Sequence, residues 1–499
     1  MRLLLAFLLP ACSWAADSMP AVGPMKSFEL PPRLEWRLAN GLQVVLIEDH
    51  RLPLVTATLA VRSGSSALPL EDAGLAQAMA ELLTDGTAKH TSKEISDAAD
   101  AYGGSLQASA GADSVSVETY SLSEFTGRML DLLAEVARTP SFPESEVALR
   151  KKNMQEELNL QRGESDFLAS LIFRKRIYAG HPYGATSPTD ASIARLSRQR
   201  IVEAHRRLFT PDGSVLVLVG DITAEKAKTE LAARFGDWKA LPRPPDAPAV
   251  MQQAGVRRVY LFDRPGSAQV SLFLGNLSIR EDNPRYFELL LANHILGGSF
   301  ASRLVSDIRE SKGYTYTISS RLEQMLTAAL FRVRTPVRSE VVGPALEAIF
   351  DHLKRLREKP VAPEELLKAK TFLAGSFARS LETQAGLAAA LLRLKLRRLP
   401  DDYYDRYVAS IQAVTAEGVL SAAQDFIRPD EMVVVAVGDA AKVKAVLSAF
   451  SKEPVVPVDQ DGEYPRRAGL GRGLPAPACL PGAGAGGVPG PRRAVCGSA

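Results

Sequence analysis

Hydrophobic and polar positions follow two rhythms along this chain. Val55, Ala57, Leu59 and Val61 are spaced two apart with Thr56 and Thr58 between them, which predicts a strand from Leu54 to Val61. Asn40-Gly41 stands between the apolar runs Leu34 to Leu38 and Leu42 to Ile47, the signal of a β-hairpin. Leu75, Met79, Leu82 and Leu83 instead fall at i, i+4, i+7 and i+8, one face of a helix. Thr91 with Glu94 predicts a capped helix start, Gly103-Gly104 its end, and alternating Val115 and Val117 the next strand.

The rhythm repeats. Pro211-Asp212, the apolar run Val215 to Val219 and Gly220-Asp221 recur 218 positions later as Pro429-Asp430, Val433 to Val437 and Gly438-Asp439. Pro143-Glu144 heads a helical run to Leu158, and Pro363-Glu364 heads another to Leu373, 220 positions on. Leu54 to Val61 has a weaker partner in Gln269 to Leu274. Self-similarity in this order predicts two homologous halves of α+β class, each a mostly antiparallel sheet with helices packed on one face, arranged as a clamshell. The predicted halves span residues 26–240 and 253–455, joined by a stiff connector at 241–252 rich in proline. From Val456 to the end Gly, Pro, Ala and Arg dominate, which predicts a disordered tail over 456–499.

Composition narrows the function classes. With 46% hydrophobic and 23% charged residues among 499, the chain reads as globular, and a net charge of +3 gives no footprint for nucleic acid. Residues 1–16 carry one Arg, an apolar run and then small residues, the pattern of a secretory signal peptide. Export, to a periplasm, is therefore expected; Leu9-Pro10-Ala11-Cys12 offers the alternative of lipid anchoring through Cys12. No later segment holds the roughly 18 apolar residues of a membrane span. The remaining cysteines, Cys479 and Cys496, leave Ser13 to Ala478 without a thiol, so neither a disulfide framework nor a thiolate zinc site is expected there.

Candidate chemistry concentrates in two segments. The first is Gly74-Leu75-Ala76 followed by Leu82-Leu83 and Gly86-Thr87, with Gln77, Ala80 and Glu81 together on a second helix face. The second is Leu296-Gly297-Gly298-Ser299-Phe300-Ala301-Ser302-Arg303-Leu304 with Ile308-Arg309-Glu310-Ser311-Lys312-Gly313-Tyr314-Thr315-Tyr316. With the two-half repeat, these segments resemble the pitrilysin and insulinase type metallopeptidases, which include the mitochondrial processing peptidase. The resemblance runs from about Leu34 to Ala449.

Active members carry His-x-x-Glu-His on the first helix, two histidines for zinc and a Glu that takes the proton from zinc-bound water. The matching positions here are Gln77, Ala80 and Glu81, all substituted, while the family's third ligand matches Glu157 without partner ligands. The six histidines contain no pair at i,i+3 or i,i+4, so no local two-histidine zinc clip can form. The second segment retains what the first has lost. Its Arg and Tyr, Arg309 and Tyr316, match the family pair that donates hydrogen bonds to the scissile peptide, and Gly297-Gly298 match its glycine-rich stretch. His181-Pro182-Tyr183-Gly184 also matches a family segment, read equally as a shaped loop or a substrate contact.

The resemblance thus implies a subunit without metal in an exported heterodimeric zinc metallopeptidase. It binds no cofactor itself; a homologous partner bearing HxxEH supplies zinc, while Arg309 and Tyr316 act on peptide substrates in trans. The alternative is a catalytically inactive peptide-binding or assembly scaffold of the same fold. A self-sufficient zinc protease fits the family but not these residues. The purified chain alone is expected to hold no stoichiometric zinc and to cleave no peptide in metal analysis and a cleavage assay; one zinc per chain would revive the self-sufficient enzyme.

Overall fold

The computed structural model describes residues 29–250 and 255–464. The predicted signal peptide, Cys12, Cys479 and Cys496 lie outside the described residues. The first sheet contains β1 (Leu34–Arg37), β2 (Gln43–Glu48), β3 (Leu54–Val61), β4 (Ser105–Ala110), β5 (Val115–Leu122) and β6 (Ser214–Gly220), in the order β1-β2-β6-β3-β5-β4. The second contains β7 (Arg258–Asp263), β8 (Gln269–Leu277), β9 (Ser319–Gln324), β10 (Ala329–Arg338), β11 (Val433–Gly438) and β12 (Val456–Val458), in the order β12-β7-β11-β8-β10-β9. In both sheets one central pair, β2 with β6 and β7 with β11, is parallel and its neighbours on the longer side are antiparallel. The repeated apolar runs are the equivalent strands β6 and β11, and the weaker repeat is β3 and β8.

Local signals act as the pattern predicts. The Asn40-Gly41 turn joins β1 and β2 in antiparallel register, with Gly41 at φ +95° where a side chain would be strained. Thr91 accepts from the Glu94 amide and Glu94 returns the bond, which starts the helix Ser92–Ala101. Prolines 143 and 363 open the long helices Glu144–Arg162 and Pro363–Ser380.

Each sheet carries its own half's helices on one face. Val44, Leu46, Val55, Ala57, Leu59, Leu216 and Leu218 pack under the first half's helices, and Val259, Leu272, Leu274, Val333, Val434 and Ala436 under the second's. The other faces are apolar too, and each half covers the other's. The second half's helix Gln384–Leu396 lays Leu387, Ala388 and Leu391 on Val45, Ile47, Val215, Val217 and Val219 of the first sheet. The first half's helix Ser165–Tyr178 lays Leu168, Ile172 and Phe173 on Tyr260, Phe273, Leu330, Val435 and Val437 of the second. Ion pairs edge both contacts: Arg393 and Arg397 meet the buried Glu281, Arg334 meets Asp166 at 2.6 Å, and Arg174 meets Glu323.

The connector at 241–250 has no regular secondary structure and is held at both ends. Thr210 Oγ1 donates to Leu241 O and accepts from its amide, each at 2.9 Å; Pro248 O accepts from Thr327 Oγ1 at 2.9 Å.

The expectation that packing ends at 456 is corrected by β12, which pairs with β7 in parallel from Val456↔Tyr260 to Val458↔Phe262. The following residues return to helix Ser165–Tyr178: Lys175 pairs with Glu463 at 2.6 Å, and the Arg176 guanidinium lies between the rings of Tyr260 and Tyr464. Two valines suffice here because the edge of β7 supplies backbone partners that composition does not reveal.

Removing apolar volume from an exchanged helix should destabilise both halves together. Leu391→Ala and Phe173→Ala are each expected to cost about 3 to 5 kcal/mol with a single unfolding transition by calorimetry. Two separated transitions, only one of them shifted, would contradict the tie.

Candidate functional site

Gly74, at φ +89°, turns the chain into the short helix Leu75–Glu81, which buries Leu75, Ala76, Ala78, Met79 and Ala80. Ala80 is fully buried and offers a methyl group where a general base is needed. The Gln77 Oε1 is buried with no hydrogen-bond partner among the described residues. Glu81 turns outward and meets Arg150 from the helix Glu144–Arg162, whose Nη2 lies 2.9 Å from Glu81 Oε2. Seven residues further along that helix, on the same face, Glu157 accepts from Arg150 Nη1 at 3.0 Å.

A guanidinium therefore stands between the two carboxylates that remain at the matched ligand positions. Arg150 is only 15% exposed, whereas Glu81 and Glu157 are 47% and 52% exposed. Burial, with Arg150 pulling the other way and Glu157 and Asp85 adding to it, holds the Glu81 carboxyl above its usual range. Zinc does not fit this set: an amide with an orphaned oxygen, a methyl and two carboxylates already engaged by a cation. Among the described residues no group of three His, Cys, Asp or Glu is placed to hold a metal ion.

In the second half, the helix Tyr286–Asn293 widens into a π-turn, His294–Gly298. A Cβ on Gly297 would lie 2.7 Å from the Ser320 amide nitrogen and from its Oγ, so glycine lets the turn press against β9. Burial lowers the pKa of His294, which stacks on Phe372 at 4.9 Å. A second π-turn, Val305–Ser311, carries Arg309. It is anchored from behind: Asp307 accepts from Lys312 Nζ at 2.6 Å and lies 2.9 Å from His352 Nε2, and Arg303 makes a two-point pair with Glu365 at 2.8 and 2.6 Å.

Arg309 and Tyr316 are brought together. The guanidinium carbon lies 5.0 Å from the Tyr316 ring centre and 4.8 Å from that of Phe300. Tyr316 is 80% and Phe300 68% exposed, so two aromatic rings are held in solvent against one cation. Arg309 Nε is taken by Glu310 at 3.1 Å; its Nη groups have no hydrogen-bond partner among the described residues. The site presents a stacked fork of donors beside a phenol. No hydrogen bond or ion pair among the described residues links it to the Glu81, Arg150 and Glu157 group.

Sheet edges lie beside both groups. β4 ends the first sheet and packs on the helix bearing Gln77, and β9 ends the second beside Gly297. His181-Pro182-Tyr183-Gly184 is a joint: Tyr183, buried, donates to Asp113 at 2.7 Å, Asp113 accepts the Leu326 amide at 2.7 Å, and His181 Nε2 lies 2.9 Å from Pro248 O. Two residues were missed in the sequence. Arg150 carried a signal, its i,i+7 spacing to Glu157; Phe300 stood inside the glycine-rich stretch without a mark of its own.

Comparison with known proteins covers both halves. The model of the insulinase family, peptidase family M16, matches residues 43–185, and that of the peptidase M16 inactive domain matches residues 195–373. Among solved structures, a peptidase M16 inactive domain from Pseudomonas fluorescens shares 29% identity at a TM-score of 0.75, covering 82% of this chain and 98% of that one. The zinc protease YmxG of Bacillus subtilis, itself uncharacterised, is 22% identical over 78% of this chain and 95% of its own length. The non-peptidase homologue YmxG of Helicobacter pylori is 24% identical over 67% of this chain and 77% of its own length. Paired six-stranded sheets, the glycine-rich turn ahead of a stacked Arg and Tyr, and family matches over both halves place this chain in peptidase family M16, the insulinase family, with the fold of its inactive domain.

Proposed function

We propose that this chain is the subunit without metal of a heterodimeric, exported zinc metallopeptidase, and that it binds peptide and steadies the reacting carbonyl for a zinc-bearing partner. The observation that carries the reading is the contrast between its two chemical groups. The Arg309 fork and the Tyr316 phenol are held exposed with free donors, while the positions matched to zinc ligands are closed over Arg150. An exposed aromatic and cation cluster costs solubility and marks a surface where something binds.

Arg309 Nη groups and the Tyr316 hydroxyl are donors, and donors aimed at a peptide carbonyl stabilise the negative charge that develops as it is attacked. Stacking between Phe300 and Tyr316 fixes the guanidinium plane in advance, so little ordering remains to be done on binding. The open edges of β4 and β9 suit an extended peptide, which gains backbone hydrogen bonds without a demand for sequence. The partner brings the zinc, the water and the general base. Its identity is set by chemistry: a chain of this fold bearing HxxEH.

Support for the loss of catalysis in this chain also comes from the relative in Helicobacter pylori, described as a non-peptidase homologue. Among the described residues no helix is long and apolar enough to cross a membrane. Export rests on the leader-like residues 1–16, and a periplasmic site of action follows from it.

Mixing the chain with a copurifying HxxEH homologue is expected to give peptide cleavage that neither shows alone. In that pair Arg309→Ala should lower kcat/KM by about 10² to 10³, and Tyr316→Phe by less, since the ring remains to stack. Unchanged cleavage with Arg309→Ala would leave a peptide-binding or assembly scaffold as the better account.

A further inference from the structure

We propose that Arg150 is a resident cation that stands in for a metal, so that the first half excludes divalent ions by occupation as well as by loss of ligands. The inference concerns this chain alone and does not rest on the heterodimer. Its basis is the closed triad of Glu81, Arg150 and Glu157, in which Nη2 meets Glu81 at 2.9 Å and Nη1 meets Glu157 at 3.0 Å, so that both carboxylates converge on the Nη edge of one guanidinium.

The arrangement differs from an ordinary surface ion pair in three respects. Arg150 is more buried than either carboxylate it binds, so the charge at the centre is the one withdrawn from water. Its Nε is buried with no hydrogen-bond partner among the described residues, so its pairing with the carboxylates falls to the two Nη groups. The two carboxylates come from different helices, Leu75–Glu81 and Glu144–Arg162, so the guanidinium joins elements as a shared metal would.

Electrostatics gives the reason a cation is kept. Glu81 faces Glu157 and Asp85, and Asp85 in turn faces Glu146, so negative charge gathers at the C-terminal end of the short helix. Removing a metal from such a place leaves like charges in partial burial, where they repel far more than in water. A planar fork binds two carboxylates at once and cannot lose its proton, which suits Arg and not Lys. The same fork then blocks metal: a divalent ion entering between the carboxylates must displace or approach a fixed positive charge. In a compartment with free zinc this half stays empty of it and does not compete with a zinc-bearing neighbour.

The test restores the ligands. The full chain carrying Gln77→His, Ala80→Glu and Glu81→His, with Glu157 retained, is compared with the same chain also carrying Arg150→Met, by zinc titration against a competing chelator. Zinc binding is expected to be at least about 100-fold tighter once Arg150 is gone. Equal affinity in the two variants, or no binding in either, overturns the proposal. Arg150→Met alone keeps the native helix and guards against misfolding of the multiple variant. Millimolar Mn²⁺ or Zn²⁺ should raise its melting temperature and leave that of the parent chain unmoved. Absence of any such shift in Arg150→Met also overturns the proposal.

Discussion

The exchange of one helix between the halves is the constraint on which the rest depends. β6 is buried at every position from Ser214 to Gly220, and β11 at all but its first, so the central strands have two apolar faces to cover. One half's own helices cover one face only. Leaving the other in water would expose Val215, Val217 and Val219 on one sheet and Val435 and Val437 on the other, at roughly 1.5 to 3 kcal/mol for each side chain. Helix Gln384–Leu396 and helix Ser165–Tyr178 solve the problem reciprocally, and neither half has a complete core without the other.

That exchange gives the loops a firm base. The joint around Tyr183, Asp113 and Leu326 and the clasp of Lys175 on Glu463 both cross between segments remote in sequence. With the frame held, the turns around Gly297 and Arg309 can depart from regular helix. The π-turns His294–Gly298 and Val305–Ser311 are such departures, and they set Arg309 where its ring neighbours can stack.

The two chemical groups are held in opposite ways. In the first half Ala80 is a buried methyl and Arg150 holds Glu81, so the short helix serves the packing of its half. In the second half nothing in the packing demands Tyr316 or Phe300, which lie largely in solvent. Their place is set instead by the Arg309 guanidinium, 4.8 Å from the Phe300 ring centre and 5.0 Å from that of Tyr316.

Much was legible in the sequence, because the signals were local. Hydrophobic period, the Asn40-Gly41 turn, the Thr91 capping box and the repeat of Pro-Asp, apolar run and Gly-Asp act over a few residues, and each element formed where its pattern stood. The loss of histidines was legible for the same reason, since a two-histidine zinc clip is a local spacing. Tertiary structure alone decided which half covers which sheet, that Val456 to Val458 find an edge to join, that Arg150 reaches Glu81 across 69 positions, and that Phe300 completes the stack on Arg309. Those are choices of partner, made by the burial of shared apolar faces and the pairing of charges, and a partner distant in sequence leaves no mark in local spacing.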